Sequence, residues 1–256
     1  VTPPDQEITD DALIGGRLHL LQPARGHRAG HDAVLLAASV PPGARRVVDL
    51  GAGVGTAGLA VALRLPLARV TLVEIDPAIA ALAARNAGRQ DPDMAERVQV
   101  VTADVATLAR PSGPPVPLAG GADLVLMNPP FNDPARHRIS PRAGRARAHS
   151  AEDDSMEAWL RAADRLLEAS GELRLIHRPE AIGTLIELLH RRAGAVSIRP
   201  VHGRPDTPAI RVLVSAIKGR RTPPAILPGL VLADTQGRPT PEAERLLRGG
   251  GGLDEH

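Results

Sequence analysis

The sequence predicts an α/β protein, a doubly wound and mostly parallel seven-stranded sheet with an antiparallel C-terminal strand pair. Three observations point there. Strand-like aliphatic runs alternate with helical stretches through the middle of the chain. A buried run at 46–50, Arg-Val-Val-Asp-Leu, passes through a glycine loop directly into the helical stretch 57–65. The last two strands, 197–201 and 211–217, are joined by a Gly-Arg-Pro-Asp loop with no helix between them, a connection that suggests an antiparallel edge pair.

Taken in order, residues 1–30 form a polar lead-in with a short hairpin, in which Gly15-Gly16 precedes the run Arg17 to Leu21. A helix at 33–40 stops at Pro41-Pro42-Gly43. Strands follow at 69–75, 98–102 and 123–127. Pro77 suits the first turn of a helix running to Ala87, because its missing N–H has no partner there anyway. Trp159, Ala163, Leu166 and Leu167 recur at helical spacing and mark an amphipathic helix over 155–169. A fifth strand at 171–177 and a helix at 182–193 complete a domain spanning 31–219. Residues 220–256 are a Pro/Gly-rich C-terminal extension with a helical patch at 241–248 and a frayed glycine-rich end.

Composition excludes several classes. There is no cysteine, so disulfides and thiolate metal sites are out, and a reducing cytoplasm is the natural compartment. No apolar stretch is long enough to span a membrane and the N-terminus carries no export signal. His19, His27, His31 and His177 show no metal spacing, so no metal is expected. The pI of about 10.1 overstates the basic character, since the formal charge is only +2 and almost nothing titrates between neutrality and Arg. What counts is placement: Arg136, Arg138, Arg142, Arg145 and Arg147 lie together with no acidic residue among them, as a phosphate-binding segment would.

The chemistry-bearing motifs stand at strand ends. Asp49-Leu50-Gly51-Ala52-Gly53-Val54-Gly55 follows a buried strand and opens a helix. Dinucleotide loops read G-x-G-x-x-G; here the third glycine falls one residue early, matching instead D-x-G-x-G-x-G, the loop for the amino-acid tail of S-adenosylmethionine (SAM). Glu74, with Ile75 beside it, ends the next strand and can accept two ribose hydroxyls, while Asp104 past the third strand can accept an adenine amino group. The fourth strand leads into Asn128-Pro129-Pro130-Phe131, which contains the only Phe of the chain. The Asn128 side-chain oxygen and the Pro129 carbonyl can both accept from one planar –NH₂ group, with the Phe131 ring stacked on the π-face that bears it.

These motifs resemble the class I SAM-dependent methyltransferases with an Asn-Pro-Pro-Phe motif, which act on exocyclic amino or amide nitrogens. The lead-in from Gln22 to Asp32, with Arg28 and Asp32, and the tail around Val231 to Asp234, Gly237 and Thr240-Pro241-Glu242-Ala243 are similar to the bacterial tRNA1(Val) adenine-N6 methyltransferase group. The resemblance implies SAM as cofactor, held by Arg28, Asp32, Asp49, Gly51, Ala52, Gly53, Gly55, Glu74, Ile75, Asp104 and Asn128. It implies an amine clamp of Asn128, Pro129, Pro130 and Phe131, and RNA, tRNA near the anticodon, as partner. The aromatic positions of the tail signature are aliphatic, Arg or Pro here. Other acceptors stay open: a guanine amino group in rRNA or a protein glutamine amide. So does a non-catalytic RNA-binding module on the same fold.

Overall fold

The computed structural model describes residues 7–25, 30–110, 121–130, 143–248 and 250–253, with 143–154 described through the backbone alone. A two-stranded antiparallel hairpin, β1 (Ile8–Leu13) and β2 (Leu18–Pro23), precedes α1 (His31–Ala38). The main sheet then builds from β3 (Arg46–Leu50), β4 (Arg69–Glu74), β5 (Val98–Thr102), β6 (Ala122–Met127), β7 (Leu167–His177), β8 (Ala193–His202) and β9 (Ala209–Lys218), closed by two-residue strands β10 (Ala225–Ile226) and β11 (Leu230–Val231). The helices between them are α2 (Thr56–Arg64), α3 (Pro77–Gly88), α4 (Pro92–Ala95), α5 (Val105–Leu108), α6 (Ala143–Leu166), α7 (Ile182–His190) and α8 (Pro241–Leu247).

Strand order is β10-β8-β9-β7-β6-β3-β4-β5, with β11 also on β8. Strands β5, β4, β3, β6 and β7 are parallel, and β9 is antiparallel to both β7 and β8. The sheet therefore has nine strands where seven were expected, because two short segments of the C-terminal extension pair with β8. The antiparallel β8–β9 pair is present, but β8 is covered rather than being the edge.

Both faces are filled by aliphatic side chains. Val47, Val70, Leu72, Leu124, Leu126, Ile176 and Leu213 meet α1, α2 and α3. Val48, Leu50, Val73, Val125, Met127, Leu175 and Val214 meet α5, α6 and α7. Successive residues of one strand thus point to opposite buried layers, which is why the parallel strands read as unbroken apolar runs. Caps follow local rules: Asp76 accepts from the N–H groups of Ala78 and Ile79 ahead of Pro77, and Thr240 caps α8 ahead of Pro241.

Several boundaries differ from expectation. The helix read at 155–169 begins at Ala143 and ends at Leu166. Its first twelve residues lack apolar periodicity but are rich in helix formers. At its end the Lys218 ammonium donates to the carbonyls of Asp164 and Leu167 (2.8 Å to the latter), and Leu167 turns into β7 through a register shift with Ser170 at φ 64°. The helix read to 193 likewise stops at His190. The glycine-rich end is not frayed as far as Leu253, which is buried and donates its N–H to the Ala38 carbonyl at 2.8 Å.

Candidate active site

Order and register bring the motif residues into one row. Leu50 pairs with Val73 on one side and Met127 on the other, and Glu74 pairs with Thr102. The glycine loop, Asn128, Glu74 and the Asp104 turn therefore leave neighbouring strands at the same carboxyl edge. Between β3 and β6 the strand order reverses, the position at which open α/β sheets bind ligands.

The loop depends on left-handed glycines. Gly51, Gly53 and Gly55 have φ of 65°, 58° and 94°, a region where a Cβ is strained. Three side chains hold its shape. Asp49 is buried and its Oδ2 accepts the Gly58 N–H at 2.8 Å, one of the unpaired donors at the start of α2. Glu74 is buried and bidentate: Oε2 accepts from the Gly53 N–H at 2.9 Å and Oε1 from the Asp76 N–H at 3.0 Å. Asn86, fully buried on α3, accepts from the Leu21 N–H at 2.7 Å and donates to the carbonyls of Leu21 (2.9 Å) and Val54 (3.0 Å). That last residue ties the hairpin to the loop and was missed from the sequence. A lone Asn on the apolar side of the Ala-rich helix was the available signal.

Removal from water pushes the Asp49 carboxyl up to about 7, against the pull of the Gly58 N–H and with a further push from the Glu74 charge. Two buried carboxylates thus stand beside a loop of free backbone curvature, an arrangement that favours a cationic ligand.

Asn128 is half-buried, and its Oδ1 is buried without a hydrogen-bond partner among the described residues. An orphaned acceptor of this kind costs about 1–3 kcal/mol, so it is a place where an N–H or O–H donor from outside would be favourable. Pro129 is buried and Pro130 exposed. Ile75 stands 60% exposed on the rim, an apolar surface next to Glu74. The half-buried Asp104 carboxylate accepts from the Ala106 N–H at 2.8 Å through Oδ1 and caps α5. Asp32 lies with Arg211 of β9 at 2.7 Å, an ion pair that ties α1 to the sheet. Trp159, expected to serve helix packing, does pack, and its ring lies directly over Gly51.

Arg28, Phe131, Arg136, Arg138 and Arg142 lie outside the described residues, as do the side chains of Arg145 and Arg147 on α6. A separate cavity among Ser39, Arg174, Ser197, Arg199 and Ser215 holds none of the motif residues; there Arg174 pairs with Glu172 and Arg199 donates to the Pro228 carbonyl. Among the described residues no helix is long and apolar enough to cross a membrane, and no three His, Cys, Asp or Glu side chains group to hold a metal ion.

Comparison with known proteins gives a consistent result. The family described as the methyltransferase small domain matches residues 30–184. A tRNA1(Val) (adenine(37)-N6)-methyltransferase of Serratia proteamaculans is 33% identical over 193 residues, covering 73% of this chain and 70% of its own. The protein of the same name from Yersinia pestis (strain Pestoides F) is 30% identical over 228 residues, 86% and 85% of the two chains. Other relatives with that name are matched over 58% of their length. Among solved structures, Atu636 of Agrobacterium tumefaciens, described as a predicted O-methyltransferase, superposes with a TM-score of 0.71 at 32% identity, over 87% of this chain and 98% of that one.

Proposed function

The chain belongs to the methyltransferase small-domain family and is a SAM-dependent methyltransferase, and on that premise we propose that it methylates the exocyclic amino group of an adenine in tRNA, near the anticodon. The observation that carries the acceptor chemistry is the buried Asn128 Oδ1 at the β6 end, without a hydrogen-bond partner among the described residues and one strand from the glycine loop.

The residues present fit the cofactor. Among the described residues beyond its chain neighbours, no heavy atom lies within 4 Å of where a Cβ of Gly53 would stand, so the backbone is open to a ligand there. The backbone of Gly51, Ala52, Gly53 and Gly55 with Asp49 would hold the amino-acid tail, Glu74 the ribose hydroxyls on its remaining lone pairs, Ile75 an adenine face and Asp104 the adenine amino group. SAM supplies a methyl group made electrophilic by its sulfonium.

An adenine amino group is a poor nucleophile because its lone pair is delocalised into the ring. Asn128 Oδ1 and the Pro129 carbonyl accept its two N–H bonds, favour a more tetrahedral nitrogen and stabilise the positive charge that grows there. Phe131 fixes the ring plane by stacking, a positioning effect. No strong base is needed, since the proton leaves an already acidified ammonium. Arg136, Arg138, Arg142, Arg145 and Arg147 contact RNA phosphates, and a stacked target base turns outward at a cost of about a few kcal/mol.

The test is transfer of labelled methyl from SAM to bulk tRNA, with rRNA and total protein as parallel acceptors, followed by mass spectrometry of the nucleosides and amino acids. N6-methyladenosine is the expected product. Label in guanine, in a protein amide or in a hydroxyl would move the assignment to another acceptor, and no transfer to any of them would support a non-catalytic module.

A further inference from the structure

We propose that Trp159 is a positioning residue for cofactor binding: through its ring, α6 holds the glycine loop in the shape that accepts SAM. The inference rests on the reading of that loop as the SAM site.

The ring stands where a side chain at position 51 would have to go. A Cβ built on Gly51 would lie 2.3 Å from Trp159 Cη2, 3.0 Å from Cζ3 and 3.3 Å from Cζ2. The outer edge of the indole therefore occupies the side-chain space of the first loop glycine, whose φ of 65° already suits glycine alone. Trp159 is only partly buried, whereas Met156, Leu160, Ala163 and Leu166 on the same helix are sunk in the layer formed with Leu50, Val73 and Met127. The core face of α6 thus anchors the helix, and Trp159 reaches beyond that core to the loop.

The loop is braced on its other side by Asn86 through the Val54 carbonyl and from within by Glu74 at the Gly53 N–H. Those two hold Gly53 and Val54. The Ala52 N–H holds the Gly51–Ala52 peptide to the Val73 carbonyl at 2.9 Å and the Gly55 N–H reaches the Ala52 carbonyl, while no described hydrogen bond involves the N–H of Gly51 itself. The indole packs against that residue. Alpha6 is also the next described element after the Asn128-Pro129-Pro130 strand end.

Trp159 is the only Trp and there is no Tyr, so its fluorescence reports this contact without background. The experiment uses the full chain. SAM titrated into the wild type is expected to shift Trp159 emission in step with binding measured by calorimetry. W159A is expected to weaken SAM binding roughly tenfold, in the range of coupling between touching residues. Its KM for SAM should rise with kcat at saturating SAM within about twofold, and W159F should restore most of the affinity because a ring again fills the space. A folded W159A with wild-type SAM affinity, or emission unmoved at saturating SAM, overturns the proposal. Should W159A not fold, W159L and the wild-type titration decide it by the same criteria. A wild type that binds no SAM at all would instead overturn the assignment of the loop, and this inference with it.

Discussion

Replacing Asp49 by Asn tests the electrostatics of the loop most directly. The side chain is 3% exposed and its carboxylate has the Gly58 N–H as its hydrogen-bond donor. Burial raises it from its ordinary 3.8 to about 7, a Glu74 charge adding to the effect. Between those two values the folded protein keeps a proton that the unfolded chain has lost. Stability from this group is therefore fully present below the lower value and declines as pH rises through the upper one. A shift of roughly three units, at about 1.4 kcal/mol each, comes to about 4 kcal/mol. Asn keeps the acceptor for Gly58 and removes the titration. Urea unfolding of cofactor-free wild type and D49N should give a stability difference that moves in favour of D49N by about that amount between about pH 4 and about pH 8. A cationic ligand should reverse the balance: SAM binding below neutrality should release a proton from Asp49, seen as a dependence of the calorimetric heat on buffer ionisation, absent in D49N. A stability difference that is flat in pH, together with buffer-independent heats in the wild type, would refute the reasoning.

N128A should lower methyl transfer about 10²–10³-fold, as loss of a transition-state acceptor does, while calorimetry finds SAM affinity unchanged; wild-type turnover would remove the clamp. G53V places a side chain in the open space beside the loop at φ 58°, so SAM binding should disappear while circular dichroism still shows a folded protein. N86A strands the Leu21 N–H and the Leu21 and Val54 carbonyls, and denaturant unfolding should register a loss of about 2–5 kcal/mol. Neutralising Arg142, Arg145 and Arg147 together should weaken tRNA binding and flatten the slope of log K against log salt by about 2–3; an unchanged slope would show those side chains to be merely solvated.

The parts legible in the sequence are those whose cause is local. Aliphatic runs marked β3 to β6, Pro77 and Pro241 marked helix starts, and the spacing of Gly51, Gly53 and Gly55 marked a tight glycine turn, whose φ values are 58° to 94°. The placing of Asp49, Glu74 and Asn128 along one edge was legible because each lies at or beside the end of a parallel strand, and such ends share one edge. Tertiary structure decided the rest. It made Glu74 a brace for Gly53, gave Asn86 its three partners and set Trp159 against Gly51. It also stopped α6 at Leu166, with Lys218 on the last carbonyls, and turned the C-terminal extension into two strands and a docked Leu253. A backbone conformation is constrained by its own residue and the next few, so it leaves a mark in adjacent letters. A contact such as that between positions 51 and 159 joins residues more than a hundred apart, and it exists only because two buried layers of the sheet bring them to the same place.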